Sequence, residues 1–125
     1  MDGIAASSVR IHHLALRVAD LDRSTRFYSE LLGLPVRARR ADEQGAPRSV
    51  WLRAGEAILM LERVLAGAGP EAGSGHLLAL AIEDLGEWEE RLRAAGVTID
   101  GRTRFTLYFR DPDGHRVGLS TYRDA

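Results

Sequence analysis

The chain contains no cysteine, which excludes disulfides and thiolate chemistry and is compatible with a reducing cytosol. It has almost no net charge: 17 Lys and Arg against 18 Asp and Glu give a formal −1. Nothing in those totals points to nucleic acid or an anionic membrane surface as a partner. It has no apolar run approaching the roughly 18 residues of a membrane-spanning helix, and its opening MDGIAASSVR lacks the positive and apolar regions of a secretory signal. A soluble, cytoplasmic protein is the expectation. What is present is 125 residues with 45% hydrophobic content, enough for one core and little more.

The chain repeats itself. Ile11 to Pro35, IHHLALRVADLDRSTRFYSELLGLP, returns in weaker form as Gly75 to Ile99, GHLLALAIEDLGEWEERLRAAGVTI. Each copy has a His opening an apolar run, an Asp-Leu pair, a helical pattern and a closing Gly. His13 and His76 lie 63 residues apart, Asp20 and Asp84 lie 64 apart, and Gly33 and Gly96 lie 63 apart. A period of half the chain is one supersecondary unit used twice.

Residues 1–8 read as a loose tail. Val9 to Val18 accumulates apolar residues in the manner of a strand buried on both faces, with His13, Ala15 and Arg17 on one side and His12, Leu14, Leu16 and Val18 on the other. Asp20 reads as an N-cap, followed by Leu21, Phe27, Leu31 and Leu32 at helical spacing, with Gly33 and Pro35 as the stop. Strands are expected over Val36 to Arg40, Ser49 to Arg53 and Ala57 to Val64, with Ala54-Gly55-Glu56 as a tight turn. Ala66 to Ser74, AGAGPEAGS, reads as a flexible connection and a candidate lid. The second half then offers a strand over His76 to Ile82, the cap Asp84, and a helix burying Trp88, Leu92 and Ala95. Strands near Val97 to Ile99, Arg104 to Arg110 and His115 to Tyr122 complete it, the last two joined by Asp111-Pro112-Asp113-Gly114, a type I turn with a left-handed final residue. The reading is an α+β domain over 9–125, made of βαβββ modules at 9–64 and 75–125 with a linker at 65–74.

Paired βαβββ modules with the openings HHLALRVADLDRSTRFYSELLG and GHLLALAIEDL and the closing hairpin YFRDPDGHRVGL resemble the vicinal oxygen chelate superfamily. That group includes glyoxalase I, extradiol dioxygenases and bleomycin-resistance proteins. The resemblance implies a cupped mixed sheet holding a small oxygenated ligand, a homodimer, and in metal-using members a divalent ion (Fe, Mn, Ni or Zn) held by inward side chains of the first and last strand of each module. The first-strand positions fall on His13 and His76. The last-strand positions fall on Met60 and Gly118, where metal-using members carry carboxylates. A thioether and a glycine make a poor site for a hard cation. Glu62, two residues beyond Met60 and about 6.6 Å along the same strand face, is the substitute ligand and the one candidate catalytic carboxylate.

For each residue two readings stand. His13 and His76 are metal ligands or packed strand histidines. Arg17, on the face of His13, anchors an acidic ligand or forms an ion pair across the modules. Trp51, Phe105 and Tyr108, with Met60 and Gly118, line a ligand cup or simply fill the core. His12 is structural and His115 exposed, and the Glu89 to Arg93 run is a solvated helix face. These readings leave a metal-dependent lyase, isomerase or dioxygenase beside a metal-independent, sequestering binding protein of the antibiotic-resistance kind, with a scaffold lacking any site as the third possibility.

Overall fold

The structure, a computed structural model, describes residues 9–65 and 76–122. The expected tail and the Ala66 to Ser74 lid lie outside the described residues. Among the described residues eight strands form two four-stranded sheets. The first contains β1 (His13–Arg17), β2 (Val36–Ala41), β3 (Pro47–Ala54) and β4 (Ala57–Glu62) in the order β1-β4-β3-β2; the second contains β5 (Leu78–Ala81), β6 (Ile99–Arg102), β7 (Thr106–Arg110) and β8 (Arg116–Ser120) in the order β5-β8-β7-β6. In each, the opening strand runs parallel to the last and the other neighbours are antiparallel. The duplicated βαβββ organisation is present as read.

The caps explain where each helix starts. Asp20 accepts from the main-chain N–H of Arg23 at 3.0 Å, and Asp84 accepts from that of Glu87 at 3.1 Å, so each carboxylate satisfies a donor that the first helical turn leaves without a partner. Helix α1 (Leu21–Thr25) widens into a π-helical segment over Arg26–Leu31, and α2 spans Leu85–Ala94. Gly33 and Gly96 follow with φ of +83° and +78°, the left-handed conformation that ends a helix without a Cβ penalty. Of the stripe expected on α2, Leu92 is buried, Trp88 is half-buried and Ala95 is exposed.

Period two separates the sheet faces. Leu16, Val50, Leu52, Leu59 and Leu61 in the first sheet, with Leu107, Phe109, Val117 and Leu119 in the second, turn toward the helices into one shared core. Phe27 stacks toward Phe109 with ring centroids 6.1 Å apart, and Tyr28 is fully buried. The modules therefore meet through their helix sides, which directs the opposite faces of both sheets away from the common core. Strand β1 is an edge strand, with Leu14 42% exposed and His13 and Arg17 exposed as well. The expectation that it is buried on both faces is corrected: its apolar residues serve one core face and one open edge.

Candidate functional site

The face that turns from the helices carries the candidate site, and strand register says which residues share it. In the first sheet Ala15 pairs with Met60 and Met60 with Trp51; Arg17 pairs with Glu62 and Glu62 with Ser49; His13 pairs with Ile58 and Ile58 with Arg53. Directly opposed residues point to the same side, so His13, Arg17, Trp51, Met60 and Glu62 lie on one face as expected. In the second sheet the matching face holds Ala79, Gly118 and Tyr108, which register opposite one another in that order.

The register also corrects the placement of His76. Ala15 stands opposite Met60 as Ala79 stands opposite Gly118, an offset of 64 residues, and the caps Asp20 and Asp84 give the same offset. The residue corresponding to His13 is therefore Leu77. His76 is one residue short of that position, and both residues precede Leu78, where the strand begins. The Nε2 of His76 stands 3.2 Å from Nδ1 of His115. His115 in turn holds the main-chain carbonyl of Arg17 at 2.8 Å through Nε2. A carbonyl only accepts, so in the neutral ring the His115 proton is on Nε2, its Nδ1 accepts, and His76 is the donor. His115, expected to be exposed, is half-buried in this contact between modules.

The proposed metal ligands are not brought together. The ring of His13 bonds that of His12, Nδ1 to Nδ1, at 2.9 Å. Glu62 lies four register pairs beyond His13 on the ladder, about 13 Å along the strand. Among the described residues no three His, Cys, Asp or Glu side chains come within reach of one ion. At Gly118 the position is also filled: a Cβ there would meet Cγ2 of Thr106 and Cε1 of Tyr108, each at 3.3 Å. Of the four inward positions, then, His13 offers one imidazole, Met60 a thioether, and Leu77 and Gly118 nothing. This donor set does not fit a divalent metal.

The remaining candidates divide by location. Arg17 gives a 2.7 Å hydrogen bond to the carbonyl of Leu65 and borders a hollow of about 570 Å³ along the open edge of β1, shared with Leu14, His76, Leu77 and His115. Phe105 precedes β7 and packs edge-on against Tyr122 at 5.5 Å. Tyr108 stays on the inward face under Arg116, whose guanidinium carbon is 4.4 Å from the ring centre. Trp51 carries Arg40 at 4.8 Å over its ring. Two polar atoms on the face of the first sheet are buried without a hydrogen-bond partner, the indole Nε1 of Trp51 and Oε2 of Glu62, and Glu62 is only 7% exposed.

Sequence reasoning missed a second hollow of about 930 Å³ at the β3–β4 turn, lined by Arg10, Arg37, Arg53 and Trp51 among others. It also missed the joint between modules. The Tyr28 hydroxyl donates to Oδ2 of buried Asp111 at 2.6 Å, and Asp113 accepts from the main-chain N–H of Ala19 at 2.9 Å and the hydroxyl of Ser24 at 3.1 Å. The spacing of Leu21, Tyr28 and Leu32 on one helical face was the available signal for the buried tyrosine.

Comparison with known proteins accounts for this architecture. The family description Glyoxalase/Bleomycin resistance protein/Dioxygenase superfamily matches residues 10–119. The chain is 34% identical to the glutathione transferase FosA of Serratia marcescens, covering 87% of this chain and 78% of that protein. It is 29% identical to a probable lactoylglutathione lyase of Vibrio cholerae, covering 95% of each. In structure it is similar to the trypanothione-dependent glyoxalase I of Leishmania major, with a TM-score of 0.73 at 29% identity over 90% of this chain and 86% of that one. By sequence match, strand order and duplicated module, this chain belongs to the glyoxalase/bleomycin resistance protein/dioxygenase superfamily.

Proposed function

We propose that the chain binds a small organic molecule on the inward face of its first sheet without a resident metal. The observation that carries this reading is the pair of orphaned groups at Trp51 and Glu62. A buried donor and a buried acceptor left without partners each cost free energy, about 1–3 kcal/mol. Their register makes them diagonal neighbours across β3 and β4, about 7–8 Å apart at the backbone. A ligand presenting an acceptor and a donor would satisfy both. The relatives are named for transferase and lyase activities. Those activities are not extended to this chain, because His13, Met60, Leu77 and Gly118 are a poor donor set for the ion that metal-using members of the superfamily employ.

A second copy of the chain completes the cup in this reading. Each inward face points away from the core that joins the modules, β1 and β5 each have one hydrogen-bonded neighbour among the described strands, and apolar Leu14 and Leu77 stand 42% and 45% exposed beside the open edge of β1. A homodimer covers these edges.

The test is thermal unfolding against a panel of small organic ligands, with and without chelator. Ligands that raise the melting temperature equally in both conditions, and lose that effect in Trp51→Phe and Glu62→Leu, support the reading. Stabilisation that appears only with added divalent metal refutes it.

A further inference from the structure

We propose that the hollow at the β3–β4 turn is an anion site, and that the ligand of the first sheet is an organic anion with a flat apolar body. Its charged group is held by Arg10, Arg37 and Arg53, and its body lies against Trp51. This rests on the reading that the first sheet takes a ligand, and adds the ligand's charge and shape.

The charge around the hollow is one-sided. Arg10, Arg37 and Arg53 line it with His12 and a single acidic residue, Glu56, a local surplus of two positive charges with the histidine neutral, in a chain whose formal net charge is −1. None of the three is among the Arg–carboxylate pairs of the described residues, which are Arg23 with Asp113, Arg63 with Asp42, Arg93 and Arg102 with Glu89, and Arg110 and Arg116 with Asp100. Arg53 gives only a 3.3 Å contact from Nε to the carbonyl of Gly55. Gathering like charges around one concavity is unfavourable in itself and focuses a positive potential into the space they share. A carboxylate, phosphate or sulfonate relieves that repulsion, and the planar fork of arginine matches its oxygens in pairs.

The walls argue for an organic ligand over an inorganic ion. Ile11, Ile58 and Trp51 line the same hollow, and its volume of about 930 Å³ is of the size that small-molecule sites occupy. Trp51 links the two features: it borders the hollow, and its buried indole N–H has no partner. An anionic head at the guanidiniums therefore leaves the body of the molecule over the sheet face where that donor lies.

Calorimetric titration with 2-naphthoate, its neutral counterpart 2-naphthamide and inorganic phosphate tests this on the full chain. Naphthoate is expected to bind at least about tenfold more tightly than the amide, the scale of one hydrogen bond to a charged group, and to weaken at high salt. Arg37→Glu and Arg53→Glu should each weaken naphthoate about tenfold or more and leave the amide unchanged, with Arg37→Lys intermediate. Circular dichroism of each variant checks that it is folded. Equal binding of naphthoate and amide, or naphthoate binding indifferent to both reversals, overturns the anion site. If the amide then still binds and loses affinity in Trp51→Ala, the ligand-binding reading of the sheet survives. Phosphate binding as tightly as naphthoate overturns the apolar body, and failure of all three probes overturns the proposal outright.

Discussion

The hydroxyl of Tyr28 donates to Asp111 over 2.6 Å across the buried joint between the two modules. Asp111 also accepts at Oδ1 from the main-chain N–H groups of Asp113 and His115, at 2.9 and 2.8 Å, so the carboxylate is satisfied from both halves of the chain. Burial first, then the charge of Asp111 and the hydrogen bond to it, raises the Tyr28 pKa well above 10.0. A pKa raised on folding means the stabilisation is complete below the unfolded value, near 10, and is lost as pH climbs toward the folded value. Tyr28→Phe should cost about 1.5–3 kcal/mol at neutral pH and flatten the loss of stability above pH 10. Urea unfolding across pH measures both. A variant as stable as the parent, or as sensitive to alkali, contradicts this account of the joint.

Gly118 lies against Tyr108 and Thr106 with no room to spare, a Cβ meeting each at 3.3 Å. Gly118→Ala should lower stability by about 1–2 kcal/mol, as overpacking does. Gly118→Glu should lower it further without creating a metal site. Chemical unfolding together with Co²⁺ titration follows both effects. A Glu variant that is as stable as the parent and binds cobalt would show that glycine alone separates this site from a metal centre.

Glu62 buries a carboxylate oxygen with no partner. Removing an unsatisfied buried group is favourable, so Glu62→Leu should raise the unfolding free energy by about 1 kcal/mol while weakening ligand binding. Stability and affinity therefore move in opposite directions. A loss of both would mean that the carboxylate supports the fold.

The open edge of β1 should be a subunit contact. Leu14→Asp and Leu77→Asp should shift sedimentation from dimer toward monomer, with at least about a tenfold weaker association for one buried apolar anchor lost. A parent that sediments as a monomer at high concentration removes the dimer from the account.

Local chemistry was legible in the sequence and long-range pairing was not. Asp20 and Asp84 with Gly33 and Gly96 marked both helices because capping involves only neighbours, and the DPDG turn closed as read, with Gly114 at φ +88° and its N–H 3.0 Å from the carbonyl of Asp111. Period two put His13 with Arg17, and Met60 with Glu62, on common strand faces; the register joins them with Trp51 into one face. His76 does not correspond to His13 because the histidines repeat at 63 residues while the caps and the strand register repeat at 64. The Tyr28–Asp111 bond spans 83 residues, and Arg10, Arg37 and Arg53 come from different segments of the first module. No local pattern encodes either grouping.

The central claim is that the inward face binds its ligand without a metal, and divalent metal content tests it most directly. Protein purified without chelator, analysed by elemental mass spectrometry and then titrated with Co²⁺, should carry well below one equivalent of any divalent ion and show no ligand-field absorption. Its melting temperature should be the same with and without chelator. One equivalent of tightly held metal, lost together with stability in His13→Ala, would contradict the account.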